Sequence, residues 1–288
     1  CKYQTSFTKQ GRAMGITGSI IALAAIIGPA SAGYLSQVSN LTNVYLMDAG
    51  ILLVALTVFC VFNLNIHLKH KDNINASAHR DSSNEFQKES VEVIEKPFNI
   101  NTNKDIMISY LSILALTIGV GVLVTEIPVL LETQNIEPGK SGLAFSIYAL
   151  VAFVVMLSPL NRLGDKRFAP MILLVGLVLI SISMFINYQT QEYVYIMVSM
   201  AIFGCGYGLI SPASSALLSR STSSGNRGLG FGFYYAIYSV GVLVGSFLSG
   251  LITDLGVFNI VGYLIILMIF LIILMQIKTL RGLINKDV

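Results

Sequence analysis

Long apolar runs separated by short polar segments dominate the chain and predict membrane-spanning helices. An α-helix needs about 20 apolar residues to cross the hydrocarbon core of a bilayer. Eight runs of about this length are predicted to span the membrane: 13–36, 44–66, 106–131, 142–160, 168–187, 193–218, 228–252 and 256–277. The pattern therefore predicts an all-α, polytopic membrane helix bundle.

One polar stretch, residues 68–104, interrupts this pattern after the second span. It mixes acidic and basic residues and is too hydrophilic to enter the bilayer, which is typical of a mobile linker. The chain is thus predicted to divide into two helices within 1–67, a linker at 68–104, and six helices within 105–288. We expect the linker to be a solvated connector without a site of its own.

Two of the spans are rich in glycine and share one arrangement. The first contains Gly18, Gly28, Pro29 and Gly33, and Arg227–Gly250 repeats its order of basic residue, glycine, apolar run and glycines five apart. Small residues let helix backbones approach closely inside a membrane. Related helices in corresponding positions of two halves are typical of transporters built from repeats.

Composition agrees with a membrane protein. The 288 residues are 54% hydrophobic and 11% charged, with a mean hydropathy of +0.73, whereas soluble domains carry roughly 25% charged residues. The net charge of +3 is small, and the basic residues form no face interleaved with aromatics, so no nucleic-acid partner is predicted. Cys60 and Cys205 lie within apolar runs, and no disulfide framework, metal site, cofactor or catalytic motif is predicted.

Lysine and arginine positions predict the orientation, because short cytoplasmic segments carry an excess of both. Placing residues 1–12 inside puts every lysine and arginine except Lys140 in the cytoplasm. Both termini of the chain and the linker are therefore predicted to be cytoplasmic, in a multi-pass protein of the cell membrane.

Several segments together resemble the major facilitator superfamily, and within it the drug:proton antiporter type. Gly18, Gly28, Pro29 and Gly33 are similar to the antiporter motif of the family's fifth helix. The runs Phe203–Ser219 and Gly225–Gly232 are similar to its tenth helix and the start of its eleventh. The polar linker resembles the central loop between the family's two six-helix bundles.

The segment NRLGDKR is similar to the family's cytoplasmic loop motif D-R-x-G-R-K/R between helices eight and nine. In this chain an asparagine replaces the acid of the motif and an aspartate replaces one base. The loop residues of interest are Asn161, Arg162, Gly164, Asp165, Lys166 and Arg167. The resemblance implies a latch that pairs with another helix in one transport state, and the alternative is a signal that only sets orientation.

The resemblance implies a fold of twelve helices, of which about eight are predicted here: helices five and six and the complete C-terminal bundle. It implies secondary active transport by alternating access, with export of drugs or small amphipathic metabolites in exchange for protons. The implied partners are a small-molecule substrate, protons and the lipid bilayer, and the full-length protein is expected to be a monomer. The chain alone is expected not to transport.

Two acids are candidates for proton coupling or substrate contact, because an ionisable residue inside a span is a functional hypothesis by default. Glu126 lies in VLVTEIPVLL beside Thr125 and Pro128; alternatively, it reaches headgroup water near the outer end of its span. Asp48 lies in the first turns of its span, where the helix dipole alone would favour a carboxylate.

Four tyrosines are candidates for substrate contact, since aromatic faces stack on planar or cationic compounds. They are Tyr207, Tyr234, Tyr235 and Tyr238. The alternative for each is a position facing lipid or the helix core. The glycines of the repeated helices are expected to pack helices and, as an alternative, to seal the cavity between the bundles.

Three other functions remain open from the sequence. One is a permease that takes up substrate together with protons, and another is a non-transporting membrane sensor or assembly partner. A membrane-embedded enzyme would need acids, histidines or serines clustered at one membrane face, which the sequence does not show.

Overall fold

The computed structural model describes residues 27–28, 31–32, 34–35, 41–78, 104–158, 168–189, 192–223, 225–252 and 256–284. Within these ranges seven long helices form: α1 (Leu41–Ala78), α2 (Lys104–Thr133), α3 (Pro138–Leu157), α4 (Ala169–Gln189), α5 (Tyr193–Ser221), α6 (Arg227–Leu251) and α7 (Gly256–Ile284). The described residues contain no β-strand. The predicted all-α class is confirmed.

The helices α2 to α7 are each long and apolar enough to cross a membrane, and no other described helix meets both conditions. Their ends agree with the predicted spans to within a few residues. Hydropathy locates these helices well because every backbone polar group must be paired inside the helix in lipid.

Helix α1 differs in length from the prediction. Its apolar part is Tyr45–Val61, but the helix continues to Ala78, into the region predicted as linker. Residues 62–78 contain no glycine or proline, so no residue there breaks the helix where the apolar run ends. This helix belongs to one compact unit, Val38–Lys96, whereas α2 to α7 lie in a second unit that includes Pro97–Val288.

Helix α2 occupies the interior of the second unit and contacts α3, α4, α5, α6 and α7. Its hydroxyl groups are paired even where they are buried. Ser109 Oγ donates to the carbonyl oxygen of Ser214 on α5 at 2.7 Å, and Ser112 Oγ donates to Ile108 O within its own helix at 2.8 Å. Such bonds matter because an unpaired polar group in a membrane interior is costly.

Helix α5 lies between α3 and α4 and uses glycines on both sides. A Cβ atom on Gly208 would lie 2.8 Å from Ala152 O of α3, and one on Gly206 would lie 2.8 Å from Gly176 O of α4. Residues two positions apart point in nearly opposite directions on a helix, since each residue turns it by about 100°. The Gly-x-Gly spacing therefore lets two neighbouring helices approach α5 from opposite sides.

A tight turn joins α2 to α3. Asn135 adopts a left-handed backbone conformation with φ of 56°, and Ile136 N donates to Leu131 O at 3.0 Å. Asparagine accepts this conformation more readily than most residues. Pro138 then starts α3 at a position where its missing N–H costs no hydrogen bond.

Candidate functional site

The contact between α2 and α6 is built from small residues. A Cβ atom on Gly121 would lie 3.0 Å from the Cα of Gly245, and one on Gly245 would overlap the carbonyl oxygen of Ile118. Gly241 makes the same close approach to the Thr117 side chain, and Ser246 Oγ donates to Gly121 O at 3.2 Å. The two helices therefore contact each other through their backbones, as small residues permit in membranes.

Glu126 lies at the C-terminal end of this contact on α2. Its side chain is half-buried on α2, and the Ser249 hydroxyl of α6, which is 4% exposed, faces its carboxylate without forming a hydrogen bond of standard geometry. Ser249 follows Gly241 and Gly245 at four-residue spacing, so it lies on the same face of α6. The small-residue row thus brings a carboxylate and a buried hydroxyl together inside two apolar spans.

The helix around Glu126 is locally modified. Pro128 has no N–H, so the carbonyl of the residue four positions earlier receives no helical hydrogen bond from it. Thr125 Oγ1 donates to Gly121 O at 3.0 Å, one turn earlier. The acid therefore lies in a turn where backbone carbonyls and hydroxyls are available as additional polar partners.

A second cluster consists of aromatic side chains from α3, α5 and α6. The ring of Tyr148 lies edge-on to Phe203 and to Tyr207, with centroid separations of 5.6 Å and 5.5 Å. The Tyr207 hydroxyl faces those of Tyr148 and Tyr238. All three tyrosines are only partly exposed, so the cluster groups aromatic rings and hydroxyl groups between α3, α5 and α6.

Tyr234 and Tyr235 have different surroundings. Tyr234 is 4% exposed and its hydroxyl forms a 2.7 Å hydrogen bond with Ser214 Oγ, which ties α6 to α5. Tyr235 is 62% exposed and meets Tyr234 edge-on at 5.5 Å. The geometry supports a packing role for Tyr234, and of the four tyrosines predicted from the sequence it brings Tyr207 and Tyr238 into the cluster with Tyr148.

We expect Tyr234→Phe to lower the free energy of unfolding by about 1 kcal/mol, because it removes the hydrogen bond between helices α6 and α5 and leaves the buried Ser214 hydroxyl with only its bond to Ser211 O in its own helix. Thermal unfolding of the purified chain in detergent measures this change. Tyr235→Phe is the matched control and is expected to have no measurable effect, since its hydroxyl is on an exposed side chain. Equal destabilisation by both variants would contradict the packing role.

The structure does not join Glu126 to the tyrosine cluster. Ser249, which faces Glu126, and Tyr238 are 11 positions apart on α6, which corresponds to roughly 16 Å along the helix axis. Asp48 is exposed on α1, in the other unit. Acid and aromatics therefore form two separate candidate regions within the described bundle.

Of the remaining predicted residues, Gly28 lies within the described part of the chain. Gly28 is helical, and a Cβ atom there would meet nothing within 4 Å. Gly18, Pro29, Gly33 and the loop residues Asn161–Arg167 lie outside the described residues. Within the ranges that the structure describes, no group of three histidines, cysteines, aspartates or glutamates could hold a metal ion.

Three residues of the two regions were not predicted as site residues from the sequence: Tyr148, Phe203 and Ser249. Tyr148 joins the cluster because Gly204 of α5 allows the backbone of α3 to approach at that position. Ser249 faces Glu126 because α2 and α6 run side by side in the same direction. Two spacings in the sequence indicate these contacts. The Gly-x-Gly spacing around residue 206 indicates the approach of α3, and the four-residue spacing of Gly241, Gly245 and Ser249 indicates the contact with α2.

The described helices define a multi-pass α-helical membrane protein with a polar site at a helix contact. Residues 109–281, more than half of the chain, match the sequence profile of the Major Facilitator Superfamily. The chain belongs to this family, and the resemblance noted from its motifs is confirmed.

Two kinds of curated relatives are similar to this chain. The Quinolone resistance protein NorA of Staphylococcus aureus (strain Mu50 / ATCC 700699) is 27% identical over 153 residues, which cover 53% of this chain and 39% of NorA. The Multi-drug resistance efflux pump PmrA homolog of Lactococcus lactis subsp. lactis (strain IL1403) is 27% identical over 269 residues, covering 85% of this chain and 58% of that protein. The chain thus spans about half the length of these relatives.

Proposed function

We propose that this chain forms the C-terminal bundle, and part of the N-terminal bundle, of a proton-coupled exporter of drugs or small amphipathic metabolites in the cell membrane. Family membership supports transport by alternating access between two bundles. The two relatives, whose names describe drug resistance and efflux, support export as the direction.

The observation that carries the proposal is the position of Glu126. Glu126 is the only carboxylate in the described parts of α2 to α7 that lies more than one turn from a helix end. A carboxylate in such a place favours the neutral form when it is enclosed and the charged form when water reaches it. Glu126 can therefore take up a proton in one transport state and release it in the other.

The neighbours of Glu126 suit this role. Ser249 can donate to the carboxylate or accept from the carboxylic acid, because a hydroxyl is both donor and acceptor. The backbone contact at Gly121 and Gly245 keeps α2 and α6 together, so the acid and the hydroxyl move as one body. When the transporter changes state, water therefore gains or loses access to Glu126, while Ser249 stays beside it.

The cluster of Tyr148, Phe203, Tyr207 and Tyr238 is proposed to contact substrate. Aromatic faces attract cationic and planar compounds, and hydroxyl groups provide directional contacts. Because this cluster is separate from Glu126, substrate and proton need not occupy the same place at the same time.

Accumulation by inverted membrane vesicles tests the function. Vesicles containing the protein with a complete set of twelve helices are loaded with acid, and uptake of a planar cationic dye or a quinolone is followed with and without a protonophore. We expect accumulation that the protonophore abolishes. Tyr238→Ala is expected to weaken the apparent affinity for the dye by roughly tenfold, within the range of one aromatic cation contact.

Tyr235→Ala is the control for this experiment, because Tyr235 lies on the same helix but outside the cluster. Its apparent affinity should equal that of the unaltered protein. Accumulation that survives the protonophore would contradict proton coupling, and movement of substrate only out of the vesicles would favour uptake over export. Equal effects of Tyr235→Ala and Tyr238→Ala would remove the cluster from the substrate site.

A further inference from the structure

A groove between α2, α6 and α7 is not explained by substrate or proton transport. It has a volume of about 720 Å³, which is within the ~300–1,000 Å³ range of small-molecule sites. Its walls are apolar, with Leu111 and Leu114 from α2, Ile237 and Val240 from α6, and Leu271 and Leu274 from α7. All of these helices belong to the same unit.

The groove has a covered floor and open rims. Val240 is 55% exposed and Leu271 and Leu274 are 42% and 40% exposed, whereas Tyr110 at the floor is 7% exposed. The Tyr110 hydroxyl donates to Gly230 O at 2.9 Å, so this polar group is already paired. The surface that remains offers an occupant little besides hydrocarbon contacts.

The length of the groove corresponds to one leaflet of a bilayer. Lys104, Met107, Leu111 and Leu114 form one stripe along α2, at three- and four-residue spacing. The ten positions from Lys104 to Leu114 span roughly 15 Å, about half the ~30 Å thickness of the hydrocarbon core. An occupant of the stripe would therefore extend from the membrane surface to the midplane.

The mouth of the groove carries a positive charge. Lys104 is exposed at the start of α2, one turn before Met107 at the groove. Asp105 is the next residue, but it points about 100° away around the helix. The positive-inside rule places this end of α2 at the cytoplasmic surface, where anionic lipids are common.

We propose that this groove binds one acyl chain of an anionic phospholipid, with Lys104 contacting the headgroup phosphate. The match between an apolar channel of one-leaflet length and a cation at its surface end favours this occupant over a neutral lipid. The site is independent of Glu126 and of the tyrosine cluster, so it does not require the proposed transport function.

Tryptophan fluorescence provides a direct test, because the chain contains no tryptophan. Leu274→Trp places a reporter at the groove rim, and Met171→Trp places one on α4 outside the groove. The two positions are three and two residues from the ends of their apolar spans, so their depths are similar. The full chain carrying either reporter is reconstituted in phosphatidylcholine vesicles with a minor fraction of brominated phosphatidylglycerol or brominated phosphatidylcholine.

We expect the reporter at 274 to be quenched by brominated phosphatidylglycerol at roughly fivefold lower mole fraction than by brominated phosphatidylcholine, which corresponds to about 1 kcal/mol for one lysine near the surface. The reporter at 171 should show no such preference. Lys104→Gln should abolish the preference at 274, and Ala236→Phe, which fills the groove, should reduce quenching there by either lipid to the level at 171.

Equal quenching of both reporters by both lipids would overturn the proposal. A preference at 274 that persists in Lys104→Gln would overturn the headgroup contact. The fluorescence at 274 could instead depend on the protein-to-lipid ratio and not on the lipid species. That result would show that a second copy of the chain covers the groove, and the lipid assignment would then be wrong.

Discussion

Glu126→Gln is expected to abolish uphill transport while leaving the protein folded. A glutamine has nearly the same shape but cannot exchange a proton, so substrate movement would no longer be linked to the pH gradient. One pH unit can sustain about a tenfold concentration ratio for each proton exchanged. In acid-loaded inverted vesicles with a gradient of one pH unit, we therefore expect the ratio of internal to external substrate concentration to fall from about ten to about one.

Two controls separate coupling from folding. Glu126→Asp retains a titratable carboxyl group and should keep a ratio well above one, with a lower rate because the carboxylate is withdrawn from Ser249. Glu126→Gln should be at least as stable to thermal unfolding as the unaltered protein, since a neutral amide of the same shape costs no more to bury than a carboxyl group that can ionise. A stable Glu126→Gln variant that still accumulates substrate at the full ratio would place the coupling group elsewhere, with Asp48 on α1 as the next candidate.

Gly245→Ala is expected to cause the largest loss of stability among the glycine-to-alanine substitutions in α6, because its Cβ would meet only backbone atoms. The added Cβ would overlap Ile118 O and lie 3.0 Å from Val122 N. Both atoms belong to the backbone of α2, so no side-chain rotation can relieve the contact and the helices must separate. We expect the free energy of unfolding to fall by about 3 kcal/mol or more, at the upper end for overpacking.

Gly250→Ala is the matched control on the same helix. A Cβ atom there would meet nothing within 4 Å, and alanine favours a helix over glycine by up to about 1 kcal/mol. Unfolding of the full chain in detergent, followed by circular dichroism, should show a loss for Gly245→Ala and no loss for Gly250→Ala. Equal stability of the two variants would contradict the close contact of α2 and α6.

The helices of this protein could be predicted because lipid imposes a simple rule on sequence. A span must be apolar over its whole length, so a run such as 169–189 identifies its own helix without knowledge of any neighbour. The same uniformity hides which face of the helix is buried. Leu173 is fully buried and Val175 is 47% exposed, yet both are aliphatic residues in the same run.

The site was harder to predict for the same reason. Glu126 was recognised because a charge is exceptional in a span, whereas Tyr148 resembles any other aromatic residue near a helix centre. Its role depends on the approach of α3 to Gly204, a contact between residues far apart in sequence. Tyr234 illustrates the reverse case, since its proximity to Tyr238 in sequence conceals that its hydroxyl is bound to Ser214.

The backbone contact between α2 and α6 also has a consequence for inheritance. Every amino acid other than glycine carries a Cβ atom, so positions 121, 241 and 245 have no replacement that leaves the helix separation unchanged. Positions 228, 232 and 250 on the same α6 helix face open space and can accept other residues. Among descendants of this gene, substitutions should therefore accumulate by neutral drift at Gly228, Gly232 and Gly250. Selection should remove substitutions at Gly121, Gly241 and Gly245.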